Sequence, residues 1–272
     1  MEAYGILTGW QSARLAVRSQ VRVVGALIRR EMVSHGGESR LGYLWALLGP
    51  VFYLGVMLLV FDLVLHRSAA LGKSTALFCL TGVVPWHMYS KIAGYVSDAV
   101  ANNRGLLTLP PVKLLDVIWA RVILEAATFF LIAFMMFLVL YIVGIPDAVP
   151  FDLLTAIEAC LIGIAFGLGV GLINIVISSY FHNWMIFFHV TYFPLWFLSG
   201  VWFLPEEVPS GPRDWMLYNP ILHLITLFRL GFYPDYRGMY LDVPYLLVTT
   251  TATVALGMAL LKVCQRRVLQ PL

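Results

Sequence analysis

The chain has 272 residues, 60% of them hydrophobic and only 12% charged, with a formal net charge of +3. A soluble domain carries about 25% charged residues, so a soluble chain of this make-up would lack the side chains to cover its surface. The small, dispersed positive charge gives no footing for nucleic acid. The composition therefore predicts an all-α integral membrane protein in which apolar runs of about 20 residues cross the bilayer.

The first element in chain order is amphipathic. In residues 10–34, WQSARLAVRSQVRVVGALIRREMVS, a helical wheel puts Arg14, Arg18, Arg22 and Arg29 on one stripe. Val17, Val21, Val24, Leu27 and Ile28 fall on the opposite side. A basic stripe opposite an apolar one suits a helix lying on the cytoplasmic membrane surface.

Six apolar segments follow, at about 42–65, 75–98, 114–144, 152–180, 184–203 and 244–263. Together with the interface helix they form a single membrane domain over residues 1–272. Between the first two segments lies AALGKSTAL, whose Gly72-Lys73-Ser74 matches the second half of a phosphate-binding loop. The first glycine of such a loop would stand at Arg67, and the preceding apolar run is too long for the required strand, so no nucleotide site is expected here. Segment four carries Gly163, Gly167, Gly169 and Gly171. Small residues of this spacing permit close helix contact, either between subunits or, as preferred here, within one. Residues 204–243 begin polar, turn apolar at Ile221–Phe232 and turn polar again. The apolar part is too short to span, which predicts re-entrant outer helices, the second starting at Asn219-Pro220.

Lysine and arginine set the orientation. With the N-terminus inside, the inner face gathers Arg14, Arg18, Arg22, Arg29, Arg30, Arg40, Arg104, Lys113, Lys262, Arg266 and Arg267. The outer loops hold Arg67, Lys73, Arg213, Arg229 and Arg237, diluted by acidic residues. Both termini are expected in the cytoplasm, and the GKS triplet then lies outside, away from cytosolic ATP.

No catalytic constellation emerges. The six histidines lack metal-ligand spacing, no serine sits in a GxSxG turn, and the three scattered cysteines read as packing residues. No metal site and no cofactor are expected in the chain. The informative polar residues are the intramembrane charges Lys91, Arg121 and Glu125, because a charge in lipid costs several kcal/mol. Arg121 and Glu125, four apart, can pair on one helix. A membrane enzyme acting on lipid-linked sugar would need convergent His, Asp or Glu near one face. A non-catalytic anchor would not need so many polar residues inside its spans. A transport subunit fits better than either.

Three stretches carry a family resemblance: IRREMVSHGGESRLGYLWALLGPVFYL, NNRGLLTLPPVKLLDVIWARVILE and NPILHLITLFRLGFYPDY. They resemble permeases of the ABC-2 class, in the branch that exports capsular polysaccharide, and the likeness runs from about residue 20 to about 265. The resemblance implies a homodimer of six-span subunits in a bacterial inner membrane, bound to two cytoplasmic ATPase subunits that hold the ATP and magnesium. It implies a lipid-linked polysaccharide substrate, with periplasmic and outer-membrane export proteins as further partners. Exporters of O-antigen, teichoic acid or a small molecule are the alternatives. Within that frame, Arg29, Arg30 and Glu31, with Asn103, Arg104, Leu106 and Leu107, are the expected ATPase-coupling residues. Trp45, Tyr53, Trp86, Tyr89, Tyr192 and Trp196 are the expected substrate path, where aromatic rings stack on sugar faces. Two positions depart from the branch: acidic residues are expected where Gly49 and Thr226 stand.

Overall fold

The computed structural model describes residues 20–31, 52, 55–56, 70–108 and 110–270, and the regular elements among them are all helical. They are α1 (residues 20–31), α2 (Thr75–Asn102), α3 (Leu114–Ile142), α4 (Leu153–Tyr180), α5 (Trp184–Phe197), α6 (Ser210–Met216), α7 (Pro220–Leu230) and α8 (Val243–Leu269). Most of the first predicted span and residues 10–19 of the interface helix lie outside the described residues.

The helix starts follow from short polar residues that satisfy the orphan N–H groups of a first turn. Ser74 Oγ accepts from the Leu77 amide at 3.3 Å, opening α2. Asp152 Oδ1 accepts from Leu154 and Thr155 at 3.0 and 3.2 Å, opening α4. Asn219 Oδ1 accepts from Ile221 at 3.0 Å with Pro220 in the first turn of α7. Asp242 Oδ1 accepts from Tyr245 at 2.8 Å, opening α8. α8 runs on to Leu269 and places Arg266 and Arg267 in its last turn, where cations complement the helix dipole.

α3, α4 and α8 are long and apolar enough to cross a membrane. Of their most apolar windows, 72% is buried in α4 against 28% in α3 and 22% in α8, so α4 is the central post. It makes its most extensive contacts with α2 and α8. Its glycines make that closeness possible. A Cβ at Gly167 would lie 2.6 Å from the Tyr89 carbonyl oxygen, and one at Gly171 2.6 Å from Val96 Cβ, both on α2. A Cβ at Gly169 would lie 2.8 Å from the Val254 amide nitrogen on α8, where Gly257 answers it at 2.9 Å from the Gly169 carbonyl oxygen. These glycines pack within the subunit. Gly167→Ala should therefore destabilise the chain by about 1–3 kcal/mol, because the added methyl meets backbone and not a movable side chain. Thermal unfolding in detergent reads this, and an unchanged midpoint would show that α2 and α4 are free to separate.

The fifth predicted span, about 184–203, is helical over only part of its length. α5 ends at Phe197, and its 14 residues reach only about 21 Å, short of a hydrocarbon core of about 30 Å. Pro194 removes a helical donor, and Gly200 turns the chain at φ +72°. Residues 198–203 continue as irregular backbone, with Ser199 and Val201 fully buried. Such backbone is tolerated at depth only if its polar groups find partners. Arg229 supplies them. Its Nη1 donates to the carbonyls of Gly200 at 2.8 Å and Phe203 at 3.2 Å, and its Nη2 donates to that of Val201 at 2.7 Å. Arg229, expected as an outer-loop charge, is only 1% exposed. Every residue of α7 from Ile221 to Arg229 is buried, among α2, α4 and α8.

Candidate functional site

α2 and α5 form the two walls of an open groove of about 590 Å³. On α2, His87, Lys91, Gly94, Tyr95 and Asp98 recur at helical spacing and make one polar stripe, with Trp86 and Ser90 at its margin. On α5, His189, Tyr192, Phe193 and Trp196 face them. Tyr192 Oη donates to the Ser90 carbonyl at 2.8 Å, which ties the walls together. Gly94 faces the same hydroxyl, from which a Cβ there would stand 3.6 Å, an ordinary van der Waals distance. Trp86 and Tyr192 meet edge to face at 6.2 Å, and Trp196 meets Trp202 likewise at 5.1 Å. These contacts fix the ring orientations and leave Phe193 exposed. Lys91 is exposed beside the rings.

Of the residues predicted for a path, Trp86, Tyr192 and Trp196 thus share one groove. Tyr89 does not line it: it is 3% exposed and stacks on Phe166 of α4 at 5.2 Å. Trp45 and Tyr53 lie outside the described residues. Tyr95 and Asp98 join the groove without being among the expected path residues, and the polar stripe along an otherwise apolar helix is the signal that marks them.

The second cluster binds α1 to the start of α3 and to the α2–α3 connection. Gln20 donates to Asp116, and Arg30 Nη1 donates to Asn103 Oδ1 at 2.9 Å. Asn103 in turn donates to the Ala99 carbonyl at 3.0 Å, closing the end of α2. Glu31 forms an ion pair with Arg121, whose Nε lies 3.3 Å from Glu125 Oε1. The Arg121 guanidinium stacks on the Tyr95 ring at 4.5 Å. The i,i+4 pair was expected, but its third member on α1 was not. In the connection, Leu106 and Leu107 are half-buried and Arg104 is partly exposed. Leu107 packs against the protein's own cluster around Ile92 and Val96. Arg29 and Arg30 are exposed.

Bundle, groove and clasp together describe a multi-pass membrane protein built around an open aromatic-lined surface. More particularly, the family model of the ABC-2 type transporter matches residues 22–233, and the chain belongs to that family. The polysialic acid transport protein KpsM of Escherichia coli is 31% identical over 91% of this chain and 95% of its own. The capsule polysaccharide export inner-membrane protein CtrC of Neisseria meningitidis serogroup A is 29% identical over 88% of this chain and 90% of its own. The O-antigen export system permease protein RfbA of Myxococcus xanthus is 30% identical over only 30% of this chain and 31% of its own.

Proposed function

We propose that this chain is the permease subunit of an ATP-driven exporter that carries lipid-linked capsular polysaccharide across a bacterial inner membrane. The observation that carries the reading is end-to-end similarity to polysaccharide export proteins, joined to a groove whose walls are aromatic. The O-antigen alternative is weaker, because that match is confined to under a third of the chain. In this reading the subunit has six spans, the fifth made of α5 continued by the irregular backbone of residues 198–203, with both termini in the cytoplasm and α6 and α7 re-entrant from the outer side. Two copies bring their grooves to a shared cavity, since one six-span subunit has too few helices to enclose a polymer. Two ATPase subunits hold the nucleotide and dock on α1 and the α2–α3 connection. Periplasmic and outer-membrane proteins receive the product.

The chemistry asked of this chain is binding without bond-making. Rings of Tyr192 and Trp196 stack on sugar faces weakly and repeatedly, so that a polymer slides and does not stall, while Trp86, only 5% exposed, backs Tyr192. Reconstitution with a candidate ATPase is the direct test. If no complex forms and hydrolysis never responds to the chain, the reading fails. Trp196→Ala should slow export about fivefold, the equivalent of one aromatic contact of about 1 kcal/mol, while Trp196→Phe keeps most of the rate. Transport into vesicles with ATPase assembly monitored in parallel checks it. Equal rates for both variants would remove Trp196 from the path.

A further inference from the structure

A second groove, of about 620 Å³, shares no lining residue with the aromatic one and lies between the start of α3 and the end of α8. Its walls are apolar, with Leu107 and Val112 from the α2–α3 connection, Leu115 from α3 and Met258 from α8. Two cations, Lys113 and Lys262, stand at its edge. Both are exposed, and among the described residues neither has an ion-pair partner and no acidic side chain lines the groove. The lysines mark the limit of the apolar band. Lys113 immediately precedes α3, and beyond Lys262 the helix continues with Gln265, Arg266 and Arg267. Met258 lies one turn deeper than Lys262 on the same face of α8.

We infer that this groove binds an anionic phospholipid of the surrounding leaflet, the cytoplasmic one in the orientation proposed above. Its phosphate sits between the ammonium groups of Lys113 and Lys262, and an acyl chain lies along Leu115 and Met258. Basic pockets between spans at the headgroup level recognise anionic lipids by this chemistry. A protein partner would have to bring its own acidic residues to the same depth, which the apolar walls do not favour. Because Leu107 and Val112 belong to the connection, a bound lipid would brace that segment against α8.

The test needs no transport. The purified chain in lipid-free detergent is titrated with phosphatidylglycerol and, separately, with phosphatidylcholine, and bound lipid is counted by native mass spectrometry. The expected result is one phosphatidylglycerol per chain held in preference to phosphatidylcholine. The Lys113→Gln, Lys262→Gln double variant should bind phosphatidylglycerol about thirty-fold more weakly, from two cations at the headgroup level, with phosphatidylcholine unaffected. Met258→Trp, which fills the groove and keeps both charges, should displace the lipid as well. Equal binding of the two lipids, undiminished phosphatidylglycerol binding in the double variant, or a copurifying protein that protects the groove in place of lipid would overturn the inference.

Discussion

Replacing Arg229 with methionine should destabilise the chain by about 3–5 kcal/mol, the cost of removing one member of a buried charged arrangement. Methionine keeps the length of the stem but none of the donors, so the carbonyls of Gly200, Val201 and Phe203 would be left in an apolar interior. Each unsatisfied group costs about 1–3 kcal/mol. The substitution also removes the guanidinium from above the Phe78 ring, where it now lies at 4.1 Å. Arg229→Lys should fall between the two, since a single ammonium cannot reach three carbonyls with a planar fork. Gly82 belongs to the same arrangement: a Cβ there would lie 2.5 Å from the Val201 oxygen and 2.9 Å from Arg229 Nη2. Gly82→Ala should accordingly weaken the same joint. Recovery of folded chain in mild detergent and its unfolding temperature read the effect. A methionine variant that melts with the parent would show that residues 198–203 find donors elsewhere.

The sequence revealed helix positions where the signals are local. Asn219-Pro220 marks the start of α7 as expected, and Ser74, Asp152 and Asp242, short polar residues beside long apolar runs, likewise cap α2, α4 and α8. The end of α5 was not legible. Residues 184–203 are predominantly apolar, Pro194 and Gly200 are the only local marks near the break, and the arginine that stabilises it stands about thirty residues on, where no local pattern reveals it. The same distance effect hides the burial of Arg229, whose sequence neighbourhood does not reveal its partners on residues 200–203. Glycine spacing in α4 announced a close contact but not its partner, because spacing fixes a face and says nothing of what faces it. The aromatic pairs show the resolution of a helical wheel. Trp86 and Tyr89 are three apart, so their faces differ by about 60°. That angle suffices to put Trp86 on the groove and turn Tyr89 into the α4 interface. Glu31 and Arg121 are 90 residues apart, and nothing in either neighbourhood marks them as partners.

That pair supports the other large prediction. Arg121 touches Glu31 on α1, Glu125 on its own helix and the Tyr95 ring, and Tyr95 lines the aromatic groove. In the proposed exporter, a displacement of α1 by the ATPase would therefore reach the groove wall through two side chains. Arg121→Met should lower export at least tenfold, because two carboxylates lose a shared cation in a site where both arginine and Glu125 are largely buried. Glu31→Gln should lower it less, since Arg121 keeps Glu125. The discriminating measurement is the double variant. If α1 acts on the groove through Arg121, adding Glu31→Gln to Arg121→Met changes export little further, and the two effects are strongly non-additive. ATP hydrolysis by the assembled complex should persist in all three variants while ceasing to respond to substrate. Additive losses, or losses matched by disassembly from the ATPase, would show instead that Glu31 serves only to hold α1 in place.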